Sequence, residues 1–230
     1  MSSFTQPKLS VIIVGAVPPP YHGQTIFTEE LLRSKIVQCF GVYHLDTSDR
    51  RDLDNIGRFE FGNLYLGLKN LIDLAYRCLS LRPAIVYIPI SQNTWGFLRD
   101  GLFVLVARVF SHATVIIHYH GGDSFVDFRR NAGTVMKFFI RFVLARVNTA
   151  IVVGESLRGV FGEDVKRVVA VHNGITFTPN LETYQRSKGQ FLRISFLSNL
   201  VESKGILDFI GAARIVLRQY SNLQFHIAGA

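Results

Sequence analysis

The chain has 230 residues, 48% of them hydrophobic, and carries 25 Lys and Arg against 17 Asp and Glu, a formal charge of +8. That is enough to bury a core in one or two domains. The two cysteines, Cys39 and Cys78, lack any paired spacing, which argues against a disulfide framework or cysteine zinc site and for a reducing cytoplasm. The positive charge calls for an anionic partner (nucleic acid, a phosphorylated ligand or an acidic membrane surface), and nucleic acid is disfavoured because no aromatic RNA-binding signature, zinc finger or basic tail is present.

The first predicted strand, "LSVIIV" at 9–14, follows a polar start, and the apolar run is too short for a signal peptide. It empties into "GAVPPPYHGQT", where Pro18 to Pro20 stiffen an extended loop carrying Tyr21 and His22. Gly23 and Gln24 then bring backbone N–H groups to a helix start, where an anion is favoured. The helix is expected over 25–38, with Thr25 as N-cap and Glu29 and Glu30 near its positive end. This loop is not G-x-G-x-x-G, so a nicotinamide dinucleotide is not the inference, and a rigid turn without a ligand is the alternative.

"GVYHLD" at 41–46 is a weaker strand, followed by a helix at 63–81 that stops before Pro83. "AIVYIPI" at 84–90 reads as a strand ending in "PISQN", and a helix follows over 95–110. The next strand, "ATVIIHYH" at 113–120, runs into "HGGD". Alternation puts His118 and His120 on one face and Tyr119 on the other. A metal there would need a third ligand, with only Asp123 or the distant His172 on offer, so no metal is expected. His118 reads as structural, and His120, before two glycines, as facing a ligand.

A helix over 133–147 would align Arg130, Lys137 and Arg141 near Phe138 and Phe142. That stripe is either a solvated face or a peripheral dock on anionic lipid. The apolar runs "GLFVLVARVF" and "KFFIRFVLA" each contain Arg and fall short of the roughly 20 apolar residues of a membrane span. "TAIVVG" at 149–154 leads to Glu155 and a helix at 155–161, and "RVVAVHN" at 167–173 ends on Asn173.

Residues 174–191 show neither helical nor strand period and read as a linker. Beyond it come a strand at 192–198, the loop carrying Asn199, then Lys204 at the start of a helix over 205–219, and a strand at 223–229. A Lys there adds charge to the helix-end potential and suits a diphosphate. The pattern is α/β: a helix-covered, Rossmann-like parallel sheet over 1–173, and the opening β-α-β unit of a second domain over 192–230. About 40 residues is too few for an independent core, so the expectation is the front part of a longer protein. Glycines and hydrogen-bonding side chains gather at the carboxyl ends of the strands, where open parallel sheets bind ligands.

Taken in order, "PPPYHGQTIF", "HYHGGD", "VVGESLRGVF", "VAVHNGI" and "FLSNLVESKGILDFIGAA" resemble glycosyltransferase family 4, retaining enzymes of the GT-B fold that use nucleotide diphosphate sugars. The resemblance implies an acceptor-side first domain, a donor-binding second domain and a cytoplasmic enzyme of cell-envelope polysaccharide or lipid-linked oligosaccharide assembly, with no cofactor beyond the donor. It implies that His120 contacts the donor sugar as the catalytic residue, and that Gly23, Asn199 and Lys204 hold the donor. Tyr21, His22, Gln24, Asp123, Glu155 and Asn173 would contact the acceptor or line the cleft. Ser198 and Asn199 stand where many members have Gly-Arg, which leaves the diphosphate more dependent on Lys204. The family's later glutamate pair has no counterpart in this sequence, so the resemblance implies activity of the full-length protein and none of these 230 residues alone. A non-catalytic acceptor- or membrane-binding module and a GT-B-fold epimerase are the alternatives.

Overall fold

A computed structural model describes residues 8–19, 21, 23–48, 61–122, 124–174, 191–198 and 200–229, with the side chains of 61–64 and 203 excepted. The chain divides into two compact units, Met1–Thr176 and Phe177–Ala230.

The first unit is a six-stranded, wholly parallel sheet in the order β2-β1-β3-β4-β5-β6. The strands are β1 (Ser10–Gly15), β2 (Gly41–Asp46), β3 (Ile85–Ile90), β4 (Thr114–Tyr119), β5 (Thr149–Val152) and β6 (Val168–Ala170). The helices are α1 (Gly23–Arg33), α2 (Ile36–Cys39), α3 (Phe61–Leu81), α4 (Thr94–Phe110), α5 (Ser124–Asn131) and α6 (Thr134–Leu144). Strand alternation sorts the side chains into two layers. Ile12, Val86, Ile88, Val115, Ile117 and Tyr119 face a core closed by Leu74, Phe97, Phe103, Phe125, Ile140 and Leu144 from α3 to α6. Val11, Ile13 and Tyr87 face Phe27, Leu31 and Phe40 of the α1–α2 side.

β1 connects to β2 on one side of itself, while β2 crosses back to β3 on the other. The strand order therefore reverses between β1 and β3. Loops leaving those two strands diverge there, which is where an open α/β sheet offers a crevice.

In the second unit, β7 (Leu192–Leu197) and β8 (Leu223–Ala228) pair in parallel and are joined through α7 (Ile206–Val216). Phe196, Phe209 and Phe225 pack together between helix and strands. Gly205 enters α7 with φ of 81°, a left-handed geometry that glycine adopts without a Cβ penalty.

Several expectations change. The helix expected over 25–38 breaks into α1 and α2 at Ser34–Lys35, where the Ser34 hydroxyl is bonded to the Leu31 carbonyl. Thr25 is not an N-cap but a buried residue of the first turn of α1, and Glu29 lies too far along to meet its positive end, pairing instead with Arg33 at 2.7 Å. Residues 155–161 form no α-helix. They hold a 3₁₀ turn at Glu155–Leu157 and then turn residues, with a second 3₁₀ turn at Gly162–Asp164. α5 was not anticipated, and it takes Arg130 away from α6, so Arg130, Lys137 and Arg141 do not share one helix. "GVYHLD" is a full strand, in register with β1 over all six residues. Lys204 belongs to a 3₁₀ turn, Glu202–Lys204, ahead of α7. Most of the anticipated linker lies outside the described residues.

Candidate functional site

His118 is the fifth residue of β4, and His120 follows the strand's last residue, so period two places both imidazoles on the α1 face. Their rings lie against each other with centroids 3.9 Å apart, tilted by 31°. Phe27, one turn into α1, contacts both, edge-on to His118 at 4.9 Å and tilted against His120 at 4.7 Å. The neighbouring strand contributes Tyr87, whose hydroxyl lies 2.6 Å from His118 Nδ1.

Burial raises the Tyr87 pKa, so the phenol keeps its proton, and it shares with Nδ1 a hydrogen bond whose direction follows the His118 tautomer. Burial also pushes both imidazoles down, His118 to about 3, with His120 adding repulsion, and His120 to about 4. Both rings are neutral at physiological pH. His118 Nε2 and both ring nitrogens of His120 are buried without a hydrogen-bond partner among the described residues. A buried nitrogen left unpaired costs about 1–3 kcal/mol, and three of them at one strand end mark a place arranged for something other than stability.

The loop after β4 is fixed from beneath. A Cβ on Gly121 would overlap the Tyr119 hydroxyl, so no larger residue fits. That hydroxyl donates to the Gly122 carbonyl at 2.9 Å and accepts from the Phe125 N–H at 3.0 Å. Gly121 thus lets Tyr119 anchor the turn, which holds His120 at the rim. Gly23 is different. No described atom lies within 4 Å of its missing Cβ, and the protein's own packing does not require a glycine there.

Other expected residues fare unevenly. Tyr21 is exposed, and the Gln24 carbonyl accepts from Thr28 Oγ1 at 3.0 Å within α1. Glu155 binds Arg158 Nη2 at 2.9 Å, and hydrogen bonding to that guanidinium lowers its pKa, so it is an exposed ion-pair partner rather than a free ligand. Asn173 is exposed beyond β6, and Lys204 is exposed in its turn. His22, Asp123 and Asn199 lie outside the described residues. The polar residues after β3 cap rather than bind: Asn93 Oδ1 accepts from the Gly96 N–H at 2.8 Å, and buried Asp100 accepts from the Ser91 N–H at 2.8 Å. Among the described residues, no group of three or more His, Cys, Asp or Glu could hold a metal ion. No described helix is long and apolar enough to cross a membrane.

Sequence reasoning missed Tyr87 and Phe27. Tyr87 had left a signal: it is a lone polar ring in an apolar strand that alternation puts on the same face as His118.

No family model matches the chain, and no curated protein matches it. Among solved structures it is similar to MurG of Acinetobacter baumannii, with a TM-score of 0.42 and 10% sequence identity, over 96% of this chain and 68% of that one. At that distance no residue of one chain can be mapped onto the other.

Proposed function

We propose that the protein is a glycosyltransferase of the GT-B type, moving a sugar from a nucleotide diphosphate sugar to a glycan or lipid-linked acceptor with retention, in cell-envelope polysaccharide or lipid-linked oligosaccharide assembly. One observation carries this reading: His120, neutral, directly after the carboxyl end of a central parallel strand, with two ring nitrogens that have no hydrogen-bond partner among the described residues. A neutral imidazole donates from one nitrogen and accepts at the other, which is what a sugar hydroxyl requires. A cation would serve a phosphate instead. The Gly23 opening at the α1 N-terminus leaves room for a close approach to backbone N–H groups, which favours an anionic ligand.

In this reading the bond between the anomeric carbon and the diphosphate oxygen breaks as the acceptor oxygen bonds to the same face of that carbon. The acceptor hydroxyl proton passes to the departing phosphate oxygen. Lys204, with its full charge, stabilises the diphosphate that leaves. His120 orients the sugar by hydrogen bonds to its hydroxyls.

The test is turnover of UDP-glucose, UDP-N-acetylglucosamine and GDP-mannose by the full-length protein, with and without acceptor sugars. Release of nucleoside diphosphate that depends on acceptor is expected, with kcat reduced about 10²-fold in His120→Ala. Turnover indifferent to acceptor would indicate hydrolytic or epimerising chemistry, and unchanged kcat in His120→Ala would remove His120 from the site.

A second element of the proposal is peripheral docking on anionic lipid. α6 exposes Val135 and Phe138 beside Lys137, while Arg146, just beyond it, lies over the Phe142 ring. Exposed apolar groups flanked by cations suit an anionic bilayer surface. Arg141 contributes less than the sequence suggested, because Asp164 stands 3.7 Å away. Flotation with anionic but not neutral vesicles, lost as salt rises, is the expected result.

A further inference from the structure

α3 is 21 residues long, and among the described residues one side of it is buried and the other exposed. Asn70, Leu74 and Cys78, four apart, are buried. On the other side stand Tyr65, Leu68, Ile72, Tyr76 and Leu79, all between 55 and 72% exposed. Their spacings of three, four, four and three are those of a helix–helix seam. At about 100° per residue all five fall within about 40° of Ile72, in a stripe about 21 Å long. Exposed apolar residues are ordinary when scattered, but five large ones in one row are not.

We infer that this stripe is a contact surface for a second copy of the chain, with two α3 helices packed antiparallel about a two-fold axis at Ile72. Ile72 then meets its own counterpart, Leu68 meets Tyr76 of the second copy, and Tyr65 meets Leu79. The charges on this face decide between occupants. An anionic lipid surface selects cations of one sign, as on α6. α3 instead carries Lys69 and Asp73 on the same flank of the stripe, with Asp73 already bonded to Tyr43 and Arg77. An antiparallel pair brings each Lys69 to within about 3 Å along the axis of both Asp73 and its partner Arg77 on the other copy, so this flank is mixed in charge rather than uniformly cationic.

The area sets the strength. Five side chains each losing about 100 Å² give about 500 Å² per copy, or about 1,000 Å² for the pair, near the lower limit of specific interfaces. The association is therefore weak and concentration-dependent. It does not rest on the catalytic reading, and either can fail without the other.

Sedimentation velocity of the purified chain over a dilution series is expected to show reversible monomer–dimer exchange, abolished by Ile72→Glu. Ile215→Glu, an equally exposed apolar position in the second unit, is expected to leave it unchanged. In a Cys39→Ser background, which removes the exposed native thiol, Ile72→Cys is expected to oxidise to a cross-linked dimer. Tyr65→Cys is not, since its two copies lie about 21 Å apart in the proposed pair. A monomer at every concentration, or association that survives Ile72→Glu, would overturn the inference. So would Ile72→Glu abolishing vesicle flotation of a protein that never dimerises, which would make the stripe a lipid contact.

Discussion

β1 and β7 are alike in length and pairing. Each is a six-residue strand, in register with one parallel neighbour over its whole length and joined to it by a helical crossover, α1 and α2 for β1 and α7 for β7. Their burial is opposite. Five of six residues of β1 are buried, whereas none of the described residues from 191 onward is. The difference lies in what surrounds them: β1 has a second strand on its other edge and helical cover on both faces, while β7 has one partner strand and one helix. A strand's apolar content states what must be covered, and the number of neighbouring elements decides whether it is.

The comparison sharpens most under hydrogen exchange. Amides of β1, β3 and β4 are expected to open only with global unfolding, and those of β7 and β8 by local opening, with rates differing by about 10³-fold or more. Equal protection would erase the distinction. Next in size is the cost of one aromatic ring. Phe97, wholly buried among Phe125, Phe128 and Phe139, should cost about 3–5 kcal/mol when replaced by Ala. Phe209→Ala, which loosens Phe196 and Phe225, should cost about 1 kcal/mol in urea titration, because the ring is only partly buried.

Acid should act on the first unit through the two imidazoles. Their folded pKa values, about 3 and about 4, lie below the ordinary 6.5. Below pH 6.5 the unfolded chain takes up protons that the folded chain refuses, so stability falls as pH drops from about 6.5 toward about 4. Between pH 7.5 and 5.5 the loss should be about 2–3 kcal/mol, most of it absent in His118→Gln/His120→Gln. Tyr87→Phe removes the hydrogen bond at His118 Nδ1 at an expected cost of about 1–2 kcal/mol, and imidazole nitrogen shifts should report its loss.

The parallel sheet was legible in the sequence because β-branched runs at 9–14, 84–90 and 113–120 are apolar on both faces, as only a sheet covered on both sides requires. Period two likewise put His118 and His120 together. What was not legible depended on contacts between distant residues. The glycines after His120 were read only as marking where that ring faces a ligand, and the lack of a side chain at Gly121 is explained by the Tyr119 hydroxyl beneath it. Glu155 looked like a cleft residue, and Arg158, three positions along, had already engaged it. The break between α1 and α2 turns on one serine hydroxyl, a local choice that helical periodicity does not register.

The account rests on His120 being a sugar contact, and imidazole-selective NMR tests that directly. Side-chain correlations of the purified protein would be followed while UDP-glucose, UDP-N-acetylglucosamine and GDP-mannose are titrated separately. The account predicts that one of these shifts His120 saturably and His118, whose ring lies against it, to a smaller extent, while His112 and His226 stay in place. If His120 remains unmoved at saturating concentrations of every donor, it is not a sugar contact and the proposed function loses the observation that carries it.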